Sequence, residues 1–286
     1  MGVRPDKPPG DIKLKRSTSH FSIEQNTSWL FTLPSLVLVG LFGIPILALV
    51  LSAVGKDFFK TILSTTALSA LKLSLMTSSI SVLLAFATGI PLAYLLTRRN
   101  FRGKAVLELL LDLPVVLPPS VAGLALLITF GRQGFIGSRL SALGIDLPFT
   151  TAAVVMAQTF VSAPLFVRSA RIGFAGIEEH LVESASDLGA NEWQVFYRIL
   201  FPLASRAILS GLILTWTRAL GEFGATLMFA GNLEGKTQTM PLAIYLGFEH
   251  GLKVAISLSV LLVLLSIVLL VVLRRLDQQN RIQPDL

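Results

Sequence analysis

Residues Leu73 to Leu96 read LSLMTSSISVLLAFATGIPLAYLL, a run without Asp, Glu, Lys or Arg. A helix rises about 1.5 Å per residue, so such a run crosses the roughly 30 Å hydrocarbon core of a bilayer. Its apolar residues do not alternate as a barrel strand's would, so helix is the spanning element. The same reading holds along the chain. Trp29 to Val54 and Thr151 to Val167 carry no charge, and Leu113 to Phe130 carries none after Glu108 and Asp112. Ile208 to Ala230 is apolar except for Arg218 and Glu222, and Val254 to Leu273 is stopped by Arg274 and Arg275. The expectation is an all-α integral membrane fold with six transmembrane helices.

Composition agrees. The 286 residues are 53% hydrophobic and 14% charged, with a mean hydropathy of +0.72, whereas soluble domains carry about 25% charged residues. The absence of cysteine excludes disulfides, thiolate zinc sites and thiol catalysis, and leaves the redox compartment open. The net charge of +7 does not point to nucleic acid, because the basic residues sit in short loops between apolar runs. With the N-terminus cytoplasmic, the inner segments hold Arg4, Lys7, Lys13, Lys15 and Arg16; Arg98, Arg99, Arg102 and Lys104; Arg168, Arg171, Arg198 and Arg206; and Arg274, Arg275 and Arg281. The outer segments hold only Lys56, Lys60, Arg132, Arg139, Lys236 and Lys253. This bias predicts that both termini are cytoplasmic. Residues 1–28 read as a flexible basic tail; Asp6, Asp11 and Glu24 argue against a transit peptide. Residues 29–275 form the membrane domain and 276–286 a short second tail.

The longest inner connection, roughly Arg168 to Arg206, is unusually acidic between its ends. Glu178, Glu179, Glu183, Asp187 and Glu192 occur without an intervening Lys or Arg. Leu181, Ala185 and Leu188 recur at helical spacing beside Val182, which predicts a short amphipathic helix. Gly189 suits its C-terminal cap. Asn191 and Gln194 suit the start of a second short helix, with Trp193, Phe196 and Tyr197 as an aromatic face. Pro202 then marks the start of the fifth span. The helix could lie on the headgroups or dock into another protein. An anionic cytoplasmic surface disfavours an acidic helix, so docking fits better.

The string Glu183-Ser184-Ala185-Ser186-Asp187-Leu188-Gly189, nine residues, then Ile199-Leu200-Phe201-Pro202 resembles the EAA loop of permease subunits in bacterial ABC importers. Ser184 stands where that pattern has Ala and Phe201 where it has Leu. The resemblance implies that about 174–202 is a coupling loop seated in a groove of a cytoplasmic ATPase. Glu183, Ala185, Asp187, Gly189, Ile199 and Pro202 would be its coupling residues. Leu113 to Pro119, Gly131 to Gly137, Arg218 to Thr226 and Thr239 to Tyr245 are similar to the molybdate permease branch, and the resemblance covers about 60–275. It implies a path for molybdate, with tungstate as a second substrate. Sulfate and thiosulfate permeases share much of the pattern and remain an alternative. It further implies a bacterial-type inner membrane, two ATPase subunits carrying ATP-Mg, a second identical permease copy, and a periplasmic oxyanion-binding protein. No cofactor on this chain and no bond chemistry are expected. Some relatives carry a regulatory domain after the last span; Arg274 to Leu286 is too short for one, so that form of regulation is not expected.

Arg218 and Glu222 are four apart and share a face of the fifth span, extended by Thr215 and Thr226. Ionisable groups within a span are costly, so the stripe should line a path or lock helices together. Glu222 would offset Arg218, and a bare Arg would trap an anion. Gly221 and Gly224 allow close approach or a bend. Pro114, Pro118 and Pro119 break the hydrogen-bond ladder of the third span, which suits a cavity wall, a hinge or simple termination. Gly235-Lys236-Thr237 is not a phosphate loop, because Ala230 stands where the first glycine is needed. His180 with Glu183 lacks a third metal ligand nearby. A secondary carrier working alone would need several intramembrane charges or broken helices in paired halves, and the sequence offers one charged pair; a membrane enzyme would need a polar catalytic cluster at the interface.

Overall fold

The computed structural model describes residues 28–53 and 58–279, together with Gly2 and Gly55. The tail read at 1–28 lies outside the described residues except for Gly2 and Ser28, which begins a helix. Residues 280–286 of the second tail lie outside them too. Thirteen α-helices are described: α1 Ser28–Ala53, α2 Phe58–Ile62, α3 Thr65–Arg98, α4 Lys104–Val116, α5 Pro119–Phe130, α6 Gly137–Ala142, α7 Thr151–Ala175, α8 Glu179–Asp187, α9 Glu192–Val195, α10 Phe201–Leu220, α11 Gly224–Ala230, α12 Met240–His250 and α13 Leu252–Gln279. No strand occurs among the described residues.

The chain falls into two units, Met1–Ala48 and Leu49–Leu286. In the first, α1 begins an apolar, uncharged helix that includes Pro34 and Pro45. Its Ser35 hydroxyl donates to the Phe31 carbonyl and so hides its own polarity.

The second unit is built on α3, α7 and α10. Ser64 caps α3 by accepting from the Ala67 N–H, and Thr150 caps α7 by accepting from the Ala153 N–H. Lipid is as apolar as leucine, so membrane helices associate through close packing of small residues and through interhelical hydrogen bonds. The α7–α10 contact follows that rule. Ser169 and Gly173 face Ala204, Ala207 and Gly211, and the Ser169 hydroxyl donates to the Ala207 carbonyl at 2.7 Å. Phe166, Phe174, Leu96 and Leu200 fill the core beside it. A second cluster joins α5, α7 and α11 around Leu126, Val154 and Phe229. A third joins α3, α12 and α13 around Ala70, Met240 and Leu258.

Among the described residues, four helices are long and apolar enough to cross a membrane: Phe31–Ala53, Thr65–Arg98, Thr151–Ala175 and Glu192–Leu220. The third expected span, Leu113 to Phe130, is not one helix. It is the break between α4 and α5, which diverge by 119°; counted as one span they make a fifth. Pro118 and Pro119 cannot donate to the ladder, and α5 begins afresh at Pro119. The sixth expected span corresponds to α13, whose apolar stretch Leu252–Val268 is shorter than the helices counted as crossing, so among the described residues four or five spans are found and not six.

The fifth span differs at both ends. It starts at Glu192, because α9 runs through a π-turn at Phe196–Leu200 directly into α10. Pro202 therefore sits inside a continuous rod instead of opening it. An α-turn would press the proline ring against the Arg198 carbonyl; the wider turn, with the Phe201 N–H donating to the Phe196 carbonyl, relieves this. At the other end the helix stops at Leu220 rather than Ala230.

Candidate functional site

Two features match the residues singled out in the sequence. The first is the acidic projection formed by α8, α9 and the π-turn. Gly189 has a φ of +86°. The Ala190 N–H donates to the Ala185 carbonyl and the Gly189 N–H to the Ser186 carbonyl, so α8 ends in a Schellman turn, which needs a left-handed residue. Asn191 and Gln194 form a reciprocal capping box at the start of α9, each bond 2.9 Å.

The apolar face of α8 divides in a way the periodicity did not show. Val182 and Ala185 pack inward against the core cluster. Leu181 points outward, and Leu188 is 90% exposed at the Schellman turn. Glu183 and Asp187 are exposed, Ile199 is half-buried and Pro202 is exposed. The projection is anchored from behind. An Arg98 Nη donates to the carbonyls of Phe174 and Ile177 at 3.1 and 3.2 Å, and Arg99 pairs with Glu192 at 2.6 Å. Trp193 and Tyr197 meet edge to face at 4.9 Å and are both largely exposed.

The second feature is the place where two broken helices meet. Arg218 Nη1 lies 2.6 Å from Glu222 Oε2. The other oxygen of Glu222 accepts from the Ala225 N–H at 2.8 Å. The Glu222 side chain is 1% exposed and the Arg218 side chain 34%. Glu222 therefore joins the end of α10 to the start of α11. Glycines let α5 approach α11. A Cβ on Gly224 would lie 2.9 Å from Pro119 Cβ, and one on Gly123 would lie 2.6 Å from the Ala225 carbonyl oxygen. The structure thus brings Pro119 against Gly224 of α11, the helix whose Ala225 N–H donates to Glu222.

It does not keep the expected four-residue stripe on one helix face. Because the chain breaks at Gly221–Phe223, Thr226 belongs to α11 and not to the helix of Thr215 and Arg218. Thr215 and Thr226 are both fully buried, and neither hydroxyl has a hydrogen-bond partner.

A buried polar layer went unread in the sequence. Ser74, Thr77, Ser78 and Ser81 of α3 are buried, as are Gln158 and Ser162 of α7. Ser81 bonds Gln158 Oε1 at 3.2 Å and the Val155 carbonyl at 3.1 Å. Trp216 Nε1 donates to Ser78 at 2.8 Å, and the Met240 N–H donates to Ser74 at 2.7 Å. The signal was present: 74, 77, 78 and 81 fall at i, i+3, i+4 and i+7, one face of a helix. Among the described residues no group of His, Cys, Asp and Glu is placed to hold a metal; His180 contacts Glu178 at 3.0 Å.

Compared with known proteins, residues 86–282 match the family described as "Binding-protein-dependent transport system inner membrane component". The molybdenum transport system permease protein ModB of Escherichia coli K12 is 41% identical over 217 residues, 74% of this chain and 95% of that protein. A probable sulfate transport system permease protein, cysT of Chlorokybus atmophyticus, is 35% identical over 241 residues, 83% of this chain and 84% of that protein. Among solved structures, a chain of a bacterial ABC transporter involved in alginate import superposes with a TM-score of 0.71 at 18% identity. The match covers 91% of this chain and 97% of that one, and at such low identity it speaks for the fold.

Proposed function

The chain belongs to the inner-membrane components of binding-protein-dependent transport systems, and on that premise we propose that it is the membrane-spanning subunit of an ABC importer for molybdate. Tungstate, of similar size and shape, is the expected second substrate. ModB relatives over most of the chain support the substrate class. The reading places both termini in the cytoplasm of the inner membrane. It pairs two copies of the chain with two ATPase subunits, which hold ATP-Mg, and with a periplasmic oxyanion-binding protein. The chain itself makes and breaks no bonds.

One observation carries the mechanism. The acidic projection and the Arg218–Glu222 junction are the two ends of one helical rod, Glu192–Leu220. A load applied at Glu183, Asp187 and Leu188 reaches α9 across the Schellman turn, then runs through the π-turn and α10 to the break at Gly221. In this reading ATP-driven closure of the ATPase pair moves the projection, and the broken helices α5 and α11 shift beside the junction. The path then alternates between inward-open and outward-open. Arg218 offers an oxyanion a positive charge at a partly exposed position. Glu222 keeps that charge neutralised, so the anion is passed on and not trapped.

A sulfate or thiosulfate permease is the second reading, favoured by the cysT relative. The deciding experiment uses vesicles holding this chain with its copurified ATPase and binding proteins loaded with molybdate, tungstate or sulfate. Stimulation of ATPase activity and uptake by molybdate but not sulfate supports the first reading; stimulation by sulfate alone reassigns the substrate. Uptake driven by an ion gradient with no copurifying ATPase would overturn both.

A further inference from the structure

A cleft of about 460 Å³ opens between the last turn of α3, the first turn of α4 and the end of α7. Its polar lining is Thr97, Lys104, Arg168 and Arg171, and its apolar lining includes Leu96 and Ile172. Arg168 is held by Asp112 at 2.7 Å and Arg171 by Glu108 at 2.5 Å. Neither carboxylate lines the cleft. Each guanidinium carries five N–H donors, more than its carboxylate partner occupies. The Lys104 ammonium has no ion-pair or hydrogen-bond partner among the described residues. Three cations against two carboxylates leave a net positive charge. The first turn of α4 adds to it, since no side chain caps that turn.

We propose that this cleft binds the phosphate headgroup of an anionic phospholipid. The shared chemistry is that of a phosphate-type oxyanion, and two features favour a lipid over a free anion. First, Thr97 lies in the last turn of the 34-residue membrane helix α3, next to Arg98, and Lys104 opens α4 a short loop later, at the level where headgroups begin. Second, apolar side chains flank the cationic mouth. Ile172 is 73% exposed beside it, and Val106 and Leu109 are exposed on the adjoining helix. Acyl chains would cover these residues while the phosphate meets Lys104 and the free N–H groups of the arginines. Basic pockets between helices near a membrane surface suit such headgroups. A lipid seated there would tie α3, α4 and α7 together at the base of the broken span. The inference rests only on the chain being a membrane protein, so it stands or falls separately from the substrate.

The test uses the chain assembled with its ATPase partner, in neutral phosphatidylcholine nanodiscs with stepwise added phosphatidylglycerol, and native mass spectrometry of the same complex. Phosphatidylglycerol is expected to be retained and phosphatidylcholine not. Lys104→Gln should weaken retention about fivefold and Lys104→Arg should restore it. Arg102→Gln, at the same end but outside the cleft, should behave as the wild type. Equal loss in Lys104→Gln and Arg102→Gln would mean diffuse surface attraction and overturn the site, as would no loss in Lys104→Gln. Displacement of the lipid by inorganic phosphate or molybdate at matched concentration would make the cleft a free-anion site and overturn the lipid assignment. Should Lys104→Gln fail to assemble, thermal unfolding of the wild type and of Lys104→Arg in phosphatidylcholine discs with and without phosphatidylglycerol decides: phosphatidylglycerol should stabilise both, and no gain in either would overturn the site.

Discussion

Arg218 and Glu222 meet across the end of a helix, and only one of them is buried: the Glu222 side chain is 1% exposed and the Arg218 side chain 34%. Removing either partner therefore leaves a different remainder. Arg218→Gln strands a buried carboxylate and should cost about 2 kcal/mol, the usual penalty for a broken buried pair discounted for the solvent at Arg218. Glu222→Gln keeps an acceptor for the Ala225 N–H and strands a cation that can reach water, so it should cost less. Both should abolish uptake. Thermal unfolding of the two purified complexes reads the difference, and equal melting shifts would contradict the asymmetry.

Gly224 is where α11 touches α5. A Cβ would press on Pro119 at 2.9 Å, and two rigid backbones leave little room to yield. Gly224→Val should lower uptake at least tenfold and destabilise the complex by about 1–3 kcal/mol, as overpacked sites do. Gly221→Ala, with its nearest neighbour 3.6 Å away, should be far milder. Transport assays on the pair check this, and similar effects would contradict the role given to the α5–α11 contact.

At Gly189 the backbone is left-handed, with φ +86°. Gly189→Val should cost about 1–2 kcal/mol locally and unravel the turn that connects α8 to α9. The expected readout is ATPase activity that no longer responds to loaded binding protein, with the complex still expressed. Retained stimulation would mean that the turn transmits nothing.

Glu183 and Asp187 are exposed on α8. Reversing both, to Lys, should leave the fold intact, because surface changes of this kind fall within about 0.5 kcal/mol. Copurification of the ATPase should fall sharply. Recovery of a stoichiometric ATPase from the double variant would argue that docking relies on Leu188 and the aromatic face instead.

Trp216 Nε1 donates to Ser78 across α10 and α3. Ser78→Ala should destabilise by about 0.6 kcal/mol, the average measured for interhelical hydrogen bonds in a membrane protein. Unfolding in detergent checks this, and a loss above about 2 kcal/mol would contradict the modest weight given to this interhelical bond.

Much of the architecture was legible because lipid imposes a simple rule on composition. Leu73–Leu96 and Thr151–Val167 lie wholly within single helices, α3 and α7. The capping signals at Gly189 and Asn191 were legible too, since each acts through a fixed local geometry. What failed was the reading of continuity. Apart from Glu222, apolar composition crosses Gly221–Phe223 without a change, yet the helix stops there, and the Glu222 carboxylate reaches forward to accept from the Ala225 N–H of the next helix. Conversely, Pro202 reads as a boundary, yet the helix continues past it by widening one turn. Hydropathy reports the solvent and says little about whether the backbone ladder is unbroken. Thr215 and Thr226 shared a face only on the assumption of one straight helix. The outward position of Leu188 was hidden for another reason: apolar spacing finds a face, and tertiary packing decides which part of it is covered.

The π-turn also sets an angle. Each residue of an α-helix advances about 100° around the axis, and a widened turn inserts one residue's worth of rotation between α9 and α10. Glu192 and Trp193 therefore face the direction they do, with Glu192 against Arg99, because of an angular offset built in at Phe196–Leu200. Deleting a single residue there would swing the whole docking head around the rod like a key cut for another lock, while every side chain on it stayed the same. On the proposed reading, the ATPase that fits this projection would be selected by rotation as well as by chemistry.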